Sequence, residues 1–463
     1  MWGVASAVIC ASLVLAPHGG GTARPATTVD FNGDGFEDYA ISAPSGTVGH
    51  TLKAGYIAIL YGGPSGVDPA RRRILHLDSS NVPNDPVAAD AFGTRTAAGD
   101  FNADGYTDLA VGSYNPFDLD RRFVTLLWGG KDGLALGTPL IDPPRPGVAP
   151  DLVDRAEGKE LAAGDFDGDG SADLAATGER GTVNIFHGPF RRDGSAARKV
   201  TLGGSYEDPK RLVAGDLTGD GKDDLVTMHA WEETAEPSLF WKGGPQGLAG
   251  RPKRLDAATT ATVGDIDGDH YGDLVMRVIP SGFVDTLKND KGTIKILYGS
   301  ADGPGRRTRT LTQDSPGVPG TGARGDQLGF DLAAGDVDGD GYTDFAAGLP
   351  GKAGGGAVLL FSGGRDGPAG ARLFTQASPG VPGTAEDGDR FGTSVSLRDF
   401  NGDGKADLGV GAPGENGTVA GTGAAWVLPG STGGLTTDGA RSFDPAALQA
   451  SDTGSHLGMW SAK

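Results

Sequence analysis

The chain has 463 residues, with 60 acidic side chains against 40 basic ones, so its formal charge is −20. That balance argues against nucleic acid as a partner, and a single cysteine excludes a disulfide framework. Glycine (81) and proline (29) together make up about a quarter of the chain, but they recur at fixed places and so read as turns between short strands.

The first 26 residues are expected to be an export signal. Val4 to Pro17 is mostly apolar and small, and a Gly/Ala/Thr-rich tail follows that suits a cleavage site. The stretch is too short to span a bilayer, and no Lys or Arg precedes it. Cys10 lies inside it. The expected mature protein, residues 27–463, is then secreted, free of cysteine and without a transmembrane span.

A nine-residue pattern then recurs seven times, with acidic, amide or, once, hydroxyl side chains at positions 1, 3, 5 and 9 and turn residues, mostly glycine, at 4 and 6. In loop 1 those four positions are Asp30, Asn32, Asp34 and Asp38; in loop 2, Asp100, Asn102, Asp104 and Asp108; in loop 3, Asp165, Asp167, Asp169 and Asp173. Loop 4 has Asp216, Thr218, Asp220 and Asp224, and loop 5 has Asp265, Asp267, Asp269 and Asp273. Loop 6 has Asp336, Asp338, Asp340 and Asp344, and loop 7 has Asp399, Asn401, Asp403 and Asp407. Short oxygen donors at this spacing on a sharply turning loop suit a hard cation that takes six to eight oxygens, calcium above all. Seven bound divalent ions would offset most of the negative charge, and in an exported protein without disulfides they would supply the staple.

Each loop sits in one frame. A strand precedes it, opened in the clearest units by Phe92-Gly93, Leu328-Gly329 or Phe391-Gly392. A short apolar strand follows, such as Tyr39 to Pro44 or Leu408 to Pro413, and then a third strand ending at glycine, such as Gly55 to Gly63. No stretch has a 3.6-residue apolar period, so helix should be scarce. Seven such units, each of three or four antiparallel strands, predict an all-β, seven-bladed β-propeller, which leaves few exposed sheet edges. The first unit lacks a Phe-Gly before Asp30, while His456-Leu457-Gly458 opens a repeat with no eighth loop. A C-terminal strand completing the first blade accounts for both. Val67 to Ala89 and Ile279 to Lys291 read as inserts, and Pro139 to Pro150 as a proline-rich decoration; such loops are where specificity is expected.

The Phe-Gly, D-x-[DN]-G-D-G-x-x-D and Gly-Ala-Pro positions together resemble the FG-GAP repeat of integrin α-subunit propellers and of secreted bacterial proteins, over about residues 27–463. The resemblance implies structural calcium in up to seven hairpin loops. It implies side-chain oxygens from positions 1, 3, 5 and 9 and a backbone carbonyl from position 7, which is Phe36, Tyr106, Ser171, Lys222, Tyr271, Tyr342 and Lys405 in the seven loops. Three departures stand out: Thr218 at position 3 of loop 4, His270 at position 6 of loop 5, and Ala103 at position 4 of loop 2. Loops 1, 3, 6 and 7 are expected to bind best, and loops 4 and 5 least.

No nucleophile elbow, zinc signature or phosphate loop is present. The expected function is therefore a binding or adhesion module for an extracellular protein, glycan or cell surface, acting as a monomer. The alternative is a secreted hydrolase or lyase on polysaccharide, with its site in the central funnel. Arg324-Gly325-Asp326 looks like an adhesion tripeptide, but Gly-Asp precedes Phe391-Gly392 in the same way and so belongs to the repeat. Arg71 to Arg73 reads as a solvated loop. Trp128, Trp231, Trp241, Trp426 and Trp460 are candidate sugar platforms; core packing is the expected use of Trp128 and Trp426, and Trp231 is the preferred platform.

Overall fold

The structure is a computed structural model and describes residues 28–118, 121–140, 158–178, 181–203, 208–248, 250–417 and 419–462. The expected leader, residues 1–26, and most of the proline-rich stretch lie outside the described residues.

The described residues form seven four-stranded antiparallel sheets. Six innermost strands precede their own loops: Arg95–Gly99, Leu161–Gly164, Asp208–Gly215, Ala258–Gly264, Leu332–Gly335 and Ser394–Arg398. They neighbour one another in chain order around a central axis. Crowding there demands small residues. A Cβ added at Gly99 would lie 2.8 Å from Ala172 Cβ, and one at Gly264 would lie 2.5 Å from Thr343 Cγ2, both in the next blade's loop.

Second strands such as Tyr39–Ala43 and Asp407–Ala412 are buried along their whole length. A strand covered on both faces needs a continuous apolar run, which is what the sequence supplies. The core is accordingly divided into seven clusters, one between each pair of neighbouring blades. The cluster between the last blade and the first joins Phe400, Ala425 and Val427 to Tyr39, Ile41 and Tyr56. Tyr39 and Phe400 meet there with ring centroids 5.2 Å apart.

The ring closes as the sequence predicts. Trp460–Ser461 pairs antiparallel with Ile41 and Ser42 and takes the innermost position of the first blade. Leu457 is bridged to Gly423 in the way that Phe391 is bridged to Gly356, so Leu457-Gly458 occupies the place of the missing Phe-Gly. Among the described residues there is no α-helix, and Val284–Lys288 forms a 3₁₀ turn.

Two sequence expectations need correction. Val67 to Ala89 is not all insert, because Arg72–Leu75 is the outer strand of the first blade. The three arginines are not merely a solvated loop either. Arg71 pairs with Asp34 at 2.7 Å, Arg72 Nε donates to the Leu448 carbonyl at 2.6 Å, and Arg73 reaches the Leu134 carbonyl of the second blade.

The closing strand should carry measurable stability. Trp460 is half-buried between the guanidinium groups of Arg95 and Arg211, so Trp460→Ala should cost about 1 to 3 kcal/mol. It should lower the thermal midpoint and expose the Tyr39–Ala43 amides to hydrogen exchange before those of other blades. Unchanged protection at that strand would show that it does not depend on the C-terminal segment.

Candidate functional site

In an antiparallel sheet the connections alternate between ends. All seven acidic loops, each joining the first strand to the second, therefore share one end of the propeller. Their internal geometry repeats. In loop 1 the Asp30 carboxylate accepts the amides of Gly33 at 2.7 Å and Gly35 at 2.9 Å. In loop 7 Asp399 accepts those of Gly402 at 2.7 Å and Gly404 at 2.8 Å. Position 5 accepts the amide of position 7 in every loop, from Phe36 on Asp34 to Lys405 on Asp403. Positions 4 and 6 adopt positive φ to make this turn. Ala103 (φ 58°) and His270 (φ 71°) do so without glycine's freedom, and the His270 amide still reaches Asp265 at 2.9 Å.

Position 9 has a task the sequence does not announce. The Asp38 carboxylate accepts the Phe31 amide at 2.8 Å and the Gly62 amide at 2.9 Å, clamping its loop to the end of the third strand. Asp108 does the same with Phe101 and Gly129 at 3.1 and 2.7 Å, and the remaining five follow suit. Burial pushes the carboxyls of Asp38, Asp108, Asp224, Asp273, Asp344 and Asp407 up to about 7, with the acidic groups of their own loops adding to the rise. Asp173 is raised by the same burial.

Position 8 links the loops to one another. Its amide donates to the position 1 carbonyl of the preceding blade, and the seven bonds, 2.7 to 3.2 Å long, form a closed circuit. The donors are Glu37, Thr107, Ala172, Asp223, Gly272, Thr343 and Ala406. In three loops the side chain also ties back, as where Glu37 accepts the Asp399 amide at 2.6 Å. Position 7 adds packing: Tyr106, Lys222, Tyr271, Tyr342 and Phe36 lie against the position 4 glycine of the preceding loop. Loop 2 alone has a side chain there, Ala103, and it is followed by the one small position 7 residue, Ser171.

Calcium fits this donor set. Four position 3 oxygens, Asn102 Oδ1, Asp167 Oδ1, Thr218 Oγ1 and Asp267 Oδ1, are buried with no hydrogen-bond partner, a costly arrangement unless something is bound there. Carboxylate oxygens converge within 4.8 Å in Asp165, Asp167 and Asp169, in Asp265, Asp267 and Asp269, and in Asp336, Asp338 and Asp344. Loop 5, expected to be among the weakest, is therefore among those whose carboxylates converge. In loops 1 to 5 a basic side chain from outside the loop reaches a carboxylate: Arg71 on Asp34, Arg192 on Asp104, Arg198 on Asp167, Lys242 on Asp220 and Arg307 on Asp267.

The inner strands enclose a cavity of about 660 Å³ along the axis. Trp460 stands in it, with Arg95 3.9 Å and Arg211 5.2 Å from its ring centroid. Arg95 pairs with Glu160 at 2.9 Å and Arg211 with Asp331 at 3.2 Å. Trp460 is thus engaged by cations. Trp128, Trp241 and Trp426 are buried in the core, which corrects the reading of Trp241 as a platform. The side chain of Trp231 lies outside the described residues. Asp326 of the Arg-Gly-Asp stretch is buried, held by Lys352 at 2.7 Å and by the Ala323 amide at 2.9 Å, so its carboxylate is a loop cap. Asp90 and Asp389 cap equivalent turns.

Comparison with known proteins agrees with this geometry. The FG-GAP repeat family matches residues 92–121, 328–361 and 391–428, and an FG-GAP-like repeat matches 165–227. The chain is 27% identical over 219 residues to phosphatidylinositol-glycan-specific phospholipase D of Rattus norvegicus, covering 47% of this chain and 23% of that one. It is 29% identical over 238 residues to integrin alpha pat-2 of Caenorhabditis briggsae, covering 44% and 18%. It is 33% identical over 227 residues to integrin alpha-PS2 of Drosophila melanogaster, covering 41% and 15%. The matched region spans less than a quarter of each relative. The chain is an integrin-α-like propeller built of FG-GAP repeats.

The raised position 9 carboxyls have a pH signature. A group whose pKa is higher in the folded state contributes stability that is complete below its unfolded value, about 4, and is lost as pH rises through about 7. In chelator, the contribution of these six groups to the thermal midpoint should fall between pH 4 and pH 8. Added calcium should raise the midpoint more at pH 8 than at pH 5. An equal calcium shift at both pH values would contradict the burial of these carboxyls in the metal-free state.

Proposed function

We propose that this chain is an exported, calcium-stabilised recognition module, with calcium in the loop ring and the binding surface at the opposite end. The observation that carries this reading is where apolar surface is exposed. Among the described residues six large hydrophobic side chains are exposed, and five of them, Leu52, Val87, Phe117, Phe283 and Val419, belong to connections at the end away from the acidic loops. Exposed apolar side chains gathered at one end of a soluble scaffold mark an interaction surface.

Loop length supports the same polarity. At the acidic end the loops are uniform. At the other end the fully described connections range from the two-residue turn Glu232-Glu233 to residues 312–331. Some are braced, one connection to another by Arg121 on Asp90 at 2.6 Å and a connection to its strand by buried Arg277 on Asp290 at 2.6 Å. Bracing of this kind lowers the ordering cost of binding. The relatives named as integrin α subunits favour an extracellular protein or a cell surface as partner, with glycans next; a monomer suffices for this role. Among the described residues no helix is long and apolar enough to cross a membrane. In the channel, Glu160 and Asp331 are tied to Arg95 and Arg211, and nothing there favours the hydrolase or lyase reading.

The test is binding of the purified protein to a glycan array, to immobilised extracellular-matrix proteins and to whole cells, in calcium and in chelator. Calcium-dependent binding is expected, weakened at least tenfold by Phe117→Ser with Leu52→Ser and with no change in thermal midpoint. Binding that survives the double substitution would place the surface elsewhere. Turnover of a polysaccharide without retention on any surface would favour the enzyme.

A further inference from the structure

Loop 3 differs from the other six in what stands beside its carboxylates. The residue before the clamped third-strand glycine is Tyr61, Trp128, Lys242, Tyr298, Ser362 or Pro429 in the other blades, and His187 here. His187 is only 2% exposed. Its Nδ1 lies 2.9 Å from Asp173 Oδ2 and 3.2 Å from Asp167 Oδ2. Although close, neither oxygen meets the geometry of a full hydrogen bond to the ring, and Nε2 has no hydrogen-bond partner; Arg198 also donates to Asp167 Oδ2, at 3.3 Å. Asp167 Oδ1 is buried and unpartnered as well.

Separations close to 3 Å without full hydrogen-bond geometry suit two ligands sharing one ion. Neighbouring ligands on an octahedral ion with bonds of about 2.1 Å lie about 3.0 Å apart, each about 45° off the other's bond direction. The Asp173 oxygens each accept one backbone amide, from Phe166 at 3.1 Å and Gly188 at 2.9 Å, which leaves a lone pair on each for a metal. One imidazole nitrogen with two carboxylates is a poor set for calcium, which takes oxygen, and a good one for a borderline divalent ion.

We propose that Asp167, Asp173 and His187 bind a transition-metal ion of the zinc, cobalt or manganese class, making the third loop selective for a metal that the other six do not favour. The proposal rests on reading loop 3 as a cation site, since it shares Asp167 and Asp173 with that reading. Nδ1 is the metal-binding nitrogen, and water or the other loop carboxylates fill the remaining positions. The third blade thereby carries a cation whose occupancy follows trace-metal supply and not calcium.

The test is titration of chelator-stripped full-length protein with Co²⁺ in excess Ca²⁺, followed by visible absorption and then by displacement with Zn²⁺. One Co²⁺ per chain is expected, with a ligand-field spectrum that Zn²⁺ abolishes. His187→Gln should weaken binding at least tenfold, while His229→Gln should leave it unchanged. If His187→Gln does not fold, His187→Tyr puts in place the residue that blades 1 and 5 carry there. Absence of Co²⁺ binding in calcium, or equal binding by a folded His187 variant, would overturn the proposal. The calcium reading fails separately, through a thermal midpoint that calcium leaves unmoved; His187-dependent Co²⁺ binding would then stand without it.

Discussion

The closed circuit of amide-to-carbonyl bonds between position 8 of one loop and position 1 of the loop before it is the constraint on which the rest depends. It runs through all seven blades and returns from Glu37 to Asp399. The position 1 aspartate serves twice: its carbonyl receives the next blade, and its carboxylate organises its own turn. Position 9 then locks the same loop to the third strand. A nine-residue frame must therefore hold these anchors, whatever happens elsewhere. The units themselves start 49 to 71 residues apart, and that variation is absorbed largely at the end where no such circuit exists.

The arrangement concentrates acid. Each loop holds a position 9 carboxylate that is buried, while positions 1, 3 and 5 turn further oxygens toward the same small space. Two backbone amides make burial of each position 9 group tolerable, yet they do not offset desolvation, which is why six of these carboxyls are pushed up to about 7. Unpartnered oxygens at position 3 point the same way. A divalent ion would satisfy them and remove the mutual repulsion in one step. Position 9 thus needs no direct metal contact to explain its presence in every loop, because the clamp alone requires a short carboxylate there.

Much of this was legible in the sequence because it depends on side-chain identity. The loops, the strands around them, the seven blades and the closing strand all follow from aspartates, glycines and apolar runs at fixed offsets. What was not legible depends on the backbone or on distant partners. The position 8 donors are Glu, Thr, Ala, Asp, Gly, Thr and Ala, since only the amide matters and no residue type marks the site. Arg72 and Arg73 read as a charged loop because their partners, the carbonyls of Leu448 and Leu134, are far away in the chain. Trp460 gave no hint that Arg95 and Arg211 would meet it. His187 escaped a search for zinc spacing because its companions are carboxylates already assigned to a loop.

Hydrogen exchange at the seven position 8 amides tests the central claim most directly. If the circuit holds the blades together and the loops are loaded with calcium, these amides should be protected alike in calcium and lose protection together in chelator, ahead of the second-strand amides beside them. Protection that falls blade by blade, or that is the same with and without calcium, would contradict a single cation-supported circuit and leave seven independent turns.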